Sequence, residues 1–148
     1  MTGVQTCALP IWSNLSNKAV KRGIEFARKI RARVTALHVM PEFKAFADEG
    51  YTPLSPALRK RLEDEARVRA TKMLEVIARQ ARSRRVRCAT LNLASDSPYQ
   101  EIIATARKKK CDLIMMASHG RRGLSSLLLG SETAKVLLHS KIPVLVVR

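Results

Sequence analysis

Asp112-Leu113-Ile114-Met115-Met116-Ala117 is apolar throughout after its opening acid, and Ser118-His119-Gly120 ends the run at once. So short and so apolar a stretch is the pattern of a strand buried on both faces, as in a parallel sheet covered by helices. Downstream, a loop bearing Gly and Ser leads to Gly130, Ser131 to Ser140 reads as a short helix, and Ile142 to Val147 reads as the last strand. Upstream, Ser97-Pro98 opens a helix, with Ser97 placed to cap it and Pro98 at the first helical position. That helix ends in Arg107-Lys108-Lys109-Lys110, cations suited to the negative end of a helix dipole. Val86 to Leu93 is a strand, and Pro56 to Arg82 a long amphipathic helix with the stripe Leu58, Leu62, Ala66, Ala70, Met73, Leu74, Ile77 and Ala81. On its solvent side Glu63–Arg67, Glu65–Arg69 and Glu75–Arg79 are spaced as i,i+4 pairs. Residues 41–57, with three prolines and Gly50, form a loop; Arg33 to Val39 is a strand, and Ser13 to Arg31 a helix.

From Ser13 onward the order is therefore α-β-α-β-α-β-α-β. Strands joined through helices run parallel, with right-handed crossovers. The expected fold is α/β: an open, Rossmann-like parallel sheet flanked by helices. Four strands are clear, and a fifth should precede the first helix. Val4 to Leu9 is the one candidate for it.

Composition narrows the function classes. The chain has 148 residues, 46% of them hydrophobic, enough for one domain with a core. With 28 Lys and Arg against 12 Asp and Glu, the formal charge is +16, which favours anionic partners without choosing among them. At 4% aromatic, the chain offers little for stacking single-stranded bases. Cys7, Cys88 and Cys111 are scattered, odd in number and form no CxxC pair, so neither a disulfide scaffold nor a zinc site is expected. No apolar run approaches the ~18 residues of a spanning helix, and the opening residues lack the basic region of a secretory signal, so the expected location is the cytoplasm.

In open parallel sheets, ligands bind beyond the carboxyl ends of the strands. The loop that leaves the apolar strand, Ala117 to Ser131, is the segment so placed. Gly120 and Gly130 permit close backbone approach, and the hydroxyl of Ser131 with the free N–H groups of the following helix can hold a phosphate. Arg121 and Arg122 add positive charge. The loop is neither a Walker A motif nor GxGxxG.

At this point the sequence resembles the universal stress protein family. The specific part is Met116 to Gly120 through Leu129-Gly130-Ser131, followed by Lys141 to Val147. The family's nucleotide-binding branch carries Gly-x2-Gly-x9-Gly-Ser/Thr; here the pattern is Ala117-x2-Gly120-x9-Gly130-Ser131, with one glycine replaced. Leu37-His38-Val39 matches the end of the family's second strand. The resemblance spans residues 13–148 and implies a five-stranded parallel sheet, ATP as ligand with Mg²⁺ accompanying it, and a homodimer through the C-terminal strand. Carried over by position, Val39 would meet adenine through its backbone, while Gly120, Gly130 and Ser131 would hold ribose and phosphates, with Ala117 at the imperfect position. Ser118, His119, Arg121 and Arg122 would make lesser contacts. The family's opening strand ends in an acid that helps to hold the nucleotide; Ile11 and Trp12 stand there instead. Residues 1–12 are therefore expected to be a foreign segment ahead of the family domain.

Three functions follow in order. The first is a small ATP-binding stress-response sensor or modulator, with at most slow hydrolysis, since no P-loop lysine and no base to orient water is present. The second is a dimeric interaction module that works without nucleotide. The third is a nucleic-acid binder, suggested by charge alone and lacking a recognition motif. His38, His119 and His139 have no metal spacing, and no catalytic role is expected of them. No membrane partner is expected.

Overall fold

The computed structural model describes residues 5–8, 14–42, 55–118 and 129–148. Five strands and four helices alternate: β1 (Gln5–Ala8), α1 (Asn14–Lys29), β2 (Arg33–Met40), α2 (Pro56–Ser83), β3 (Cys88–Ala94), α3 (Pro98–Lys108), β4 (Leu113–Ala117), α4 (Ser131–His139) and β5 (Val144–Val147). The strands are parallel and lie in the order β3-β2-β1-β4-β5. Gln5–Ala8, within the stretch expected as the first strand, takes the middle place between β2 and β4. The α/β class is the one the alternation of apolar runs predicts.

Period-two alternation along β2 and β4 divides the core. Val34 and Ala36 of β2 pack with Val20, Ile24 and Ala27 of α1 and with Leu74, Ile77 and Ala81 of α2. Leu37, Ile114 and Met116 face the other way, onto Ile102 and Ala106 of α3 and Val136 of α4. A smaller cluster joins Ala19 of α1 to Met115, Ala117 and Val147. Two helices thus cover each face, which is why the β4 sequence is apolar at both parities.

Three of the four helices stop by one shared device. α2 starts with Ser55 accepting from the Leu58 N–H at 3.2 Å, and Pro56 begins the first turn. At the far ends of α1, α2 and α3 the same turn recurs three times. Ala32 N–H donates to Ala27 O (2.8 Å), Val86 N–H to Ala81 O (2.9 Å) and Cys111 N–H to Ala106 O (2.8 Å). This is the six-to-one bond of a Schellman motif, and it puts the preceding residue in the left-handed region. Those residues are Arg31 (φ 55°), Arg85 (φ 58°) and Lys110 (φ 54°). The helices accordingly end at Lys29, Ser83 and Lys108, inside or just past the bounds read from the sequence.

Candidate nucleotide site

β1 sits between strands that continue in opposite directions across the sheet. The chain moves from β1 to β2 to β3 on one side, then returns to β4 and β5 on the other. A reversal of this kind marks the region beyond the carboxyl ends of β1 and β4 as the position at which such sheets hold ligands. Register frames it. Ala8 pairs with Ala36 and with Met115; β2 then runs on to Met40 and β4 to Ala117. Val39 is half-buried at the overhanging end of β2, paired with Leu93 on the β3 side.

The β4–α4 connection is anchored at both described ends. Ser118 N–H donates to Val147 O (2.9 Å), and Gly130 N–H donates to Ser118 O (2.7 Å). The Thr133 hydroxyl, buried, donates to Ala117 O at 3.0 Å. The first turn of α4 is thereby clamped against the end of β4. Gly130 is the N-cap residue and supplies no side-chain cap. Helix geometry leaves the first N–H groups of α4 without a partner inside the helix, and Ser131 beside them is exposed. The amide cluster and the hydroxyl lie at the positive end of the α4 dipole, an arrangement that suits an anion.

Two of the sequence-predicted residues serve the scaffold. Ala117 directs its methyl to the small cluster with Ala19, Met115 and Val147, so the alanine that replaces the pattern's glycine is packed beneath α1. Ser118 is buried, with both backbone groups committed to the anchors just described. Val39, Ala117, Ser118, Gly130 and Ser131 are brought to one edge of the sheet by the strand register. His119, Gly120, Arg121 and Arg122 lie outside the described residues, as do Ile11, Trp12 and the expected cap Ser13.

Glu132 is the residue that spacing gave no reason to single out. Its carboxylate accepts from the Tyr99 N–H at 3.0 Å, at the start of α3, and pairs with Lys135 at 2.8 Å. Ser97 makes no side-chain cap bond. The α3 cap expected of Ser97 is supplied instead by an acid from α4, some thirty residues on in the chain, which local reading does not reach. Glu132 also holds Lys135 in its protonated form, above the ordinary lysine range, by hydrogen bonding and by charge. Lys135 lies 5.5 Å from the centre of the Tyr99 ring, and the His139 ring meets the same ring tilted by 35°, centroids 5.4 Å apart.

Along the same edge, on the α2 side, Met40, Pro41 and Ala94 floor a cleft of about 310 Å³ walled by Arg59, Glu63 and Arg67. Glu63 turns to Arg59 (3.0 Å) and not to Arg67, the i,i+4 partner expected from sequence. Glu65 likewise bonds Arg61 at 3.0 Å, with Arg69 at 3.7 Å. His38, one residue before Val39, points its Nδ1 at Asn92 Oδ1 (3.1 Å) across the β2–β3 pair. Burial holds its imidazole below the ordinary histidine range, and the Asn92 bond pulls it only part of the way back. Among the described residues no group of three or more His, Cys, Asp or Glu could hold a metal ion. No described helix is long and apolar enough to cross a membrane.

Residues 5–148 match the universal stress protein family. The chain belongs to that family. A universal stress protein of Methanocaldococcus jannaschii is 34% identical over 138 residues, covering 92% of this chain and 76% of its own length. The solved structure of the protein MJ0577 superposes with a TM-score of 0.80 at 25% identity, covering 99% of this chain and 96% of the other. Two further family structures share the fold and were determined with nucleotides. One, from Archaeoglobus fulgidus, is in complex with dAMP (TM-score 0.69, 18% identity, 99% and 98% coverage). The other is in complex with cAMP (TM-score 0.67, 19% identity, 100% and 98% coverage). The universal stress protein fold is thus shared across nearly the full length of each.

Proposed function

We propose that this universal stress protein binds an adenine nucleotide, ATP foremost, in the crevice between β1 and β4, and acts as a stress-response modulator and not as a turnover enzyme. The observation that carries the reading is the first turn of α4. Its amides are uncapped at Gly130, it is clamped to β4 by Thr133 and Gly130, and it presents an exposed Ser131 at the sheet's switch point. In this reading those amides and the Ser131 hydroxyl take the phosphates, the overhanging backbone at Val39 takes the base, and Gly120 with its neighbours His119, Arg121 and Arg122 completes the loop that the buried Ser118 anchors. Ala117 supports from beneath. The one acid in the first turn of α4, Glu132, is engaged with Tyr99 and Lys135, so any Mg²⁺ is carried in by the phosphates. The dAMP and cAMP complexes of two family members support the choice of ligand class.

Isothermal titration with ATP and Mg²⁺, paired with thermal melts, tests it. Ligand at about 100 times Kd should raise stability by about 2.7 kcal/mol. Ser131→Glu leaves the helix sound, because an acid there suits the dipole, yet opposes phosphate, so it should abolish the heat. Absence of heat with the folded wild-type chain at millimolar nucleotide would refute the proposal and favour the second reading, an interaction module independent of nucleotide.

Both readings include a homodimer through the C-terminal strand, placed in the cytoplasm. β5 is an edge strand that carries the exposed Leu145 (42%), and α4, which precedes it, exposes Leu137 (42%) and Leu138 (79%). Sedimentation should give twice the chain mass. Residues 1–12 we propose to be of foreign origin ahead of 13–148, with Gln5–Ala8 filling the first-strand slot, which is why the family match already begins at residue 5; sequencing the locus from intact genomic DNA tests that.

A further inference from the structure

Parallel strands all begin at one edge of the sheet, and helices that cross back between them all end there. In this chain that edge gathers the basic runs, which lie far apart in sequence. Arg28, Lys29, Arg31 and Arg33 lie at the α1–β2 junction. Arg82, Arg84, Arg85 and Arg87 lie at the α2–β3 junction, where three of them rim a cleft of about 340 Å³. Arg107 to Lys110 lie at the α3–β4 junction, and Lys141 precedes β5. Nearly half of the 28 Lys and Arg therefore stand in four short junctions, all exposed, whereas of the 12 acids only Asp112 is there. None of these cations makes an ion pair among the described residues, whose four pairs lie on α2 and α4.

We propose that the amino edge of the sheet, opposite the nucleotide crevice, is a docking surface for the phosphate backbone of duplex nucleic acid, read without regard to sequence. Three observations favour this partner. The charge forms a line along the strand starts from β3 to β5, matching a linear polyanion better than a compact anion. The majority are arginines, whose planar forks bind phosphate oxygens two at a time. No Tyr or Trp stands at the junctions, so stacking of unpaired bases is absent and backbone contact is what the surface offers. The inference is independent of the nucleotide reading, because the two sites occupy opposite edges.

Fluorescence anisotropy with a labelled 30-base-pair duplex of scrambled sequence, titrated from 50 to 300 mM KCl, tests it. About six phosphate contacts give a log Kobs against log salt slope near −5. Two triple variants remove charge without disturbing the turns, since Asn accepts the left-handed region: Arg84→Gln/Arg85→Asn/Arg87→Gln, and Lys108→Gln/Lys109→Gln/Lys110→Asn. Each should flatten the slope by about 2 and weaken binding at least tenfold at 100 mM KCl. A control triple with the same charge loss elsewhere, Lys18→Gln/Lys21→Gln/Arg22→Gln on α1, should change Kd less than threefold. Thermal melts of all variants establish that they are folded. No binding at 50 mM KCl, an equal loss in the control triple, or binding to phosphatidylserine vesicles in place of duplex overturns the proposal.

Discussion

Arg31, Arg85 and Lys110 occupy left-handed backbone, where glycine is the usual residue, and each closes the same six-to-one turn between a helix and a strand. An L-residue there costs about 1–2 kcal/mol from the approach of Cβ to the following carbonyl. Replacement by Gly relieves that cost but loosens the unfolded chain by about 0.4–1 kcal/mol. The net expectation is a gain of about 0.7 kcal/mol per site. The three turns share no hydrogen-bond partner, so their effects should add to about 2 kcal/mol in the triple Gly variant. For a chain of this length that raises Tm by about 6 °C. Urea unfolding followed by circular dichroism measures the change at unaltered m-value. The variant also removes three cations from a crowded basic edge, which could stabilise by itself. The matching triple Ala variant separates the causes: equally neutral, it keeps the Cβ and should gain far less. If Ala stabilises as much as Gly, charge relief and not backbone strain is responsible, and the reasoning from φ is wrong.

Four further expectations follow from individual residues. At Gly23 a Cβ would stand 3.0 Å from the Sδ of buried Met115, so α1 lies close on β4; Gly23→Val should cost about 1–3 kcal/mol by overpacking, and a urea midpoint equal to wild type would contradict it. Glu132→Ala leaves the Tyr99 N–H without its acceptor and should cost about 1–3 kcal/mol, whereas Glu132→Gln, which keeps an oxygen in place, should cost less than half as much in the same assay. His38 has a folded pKa below its ordinary value because it is buried, so the unfolded chain binds more protons once pH falls toward about 6.5. Wild type should therefore lose stability between pH 7.5 and 5.5 relative to His38→Gln; a relative gain on acidification would show the sign to be wrong. Cys88, whose thiol burial pushes up, should react with a disulfide reagent at pH 7 more slowly than an unfolded control.

The elements were legible because their signals are local. Ile114 and Met116 face one helix layer and Met115 and Ala117 the other, so the β4 run carries no polar alternation, and this alone announced a sheet covered on both sides. Pro56 and Pro98 marked helix starts because proline fixes φ where the N–H has no partner anyway. β1 was the weak point for the same reason. Gln5-Thr6-Cys7-Ala8 has little apolar content for a central strand, and only its pairing with Arg33–Ala36 and Leu113–Met115 gives it that place.

The amino-acid order by itself determined the alternation of helices and strands, the parallel α/β class, and the glycine and serine that begin α4, since each depends on side-chain periodicity or backbone freedom within a dozen residues. The tertiary structure alone decided the rest. It put Glu132 on the end of α3, turned the Ala117 methyl toward Ala19, set Val39 and Ser131 at one edge, and drew four separate basic runs to the opposite edge. Those relations join residues distant in the chain, and they arise only when strand pairing and crossover direction have fixed which ends of the elements come together.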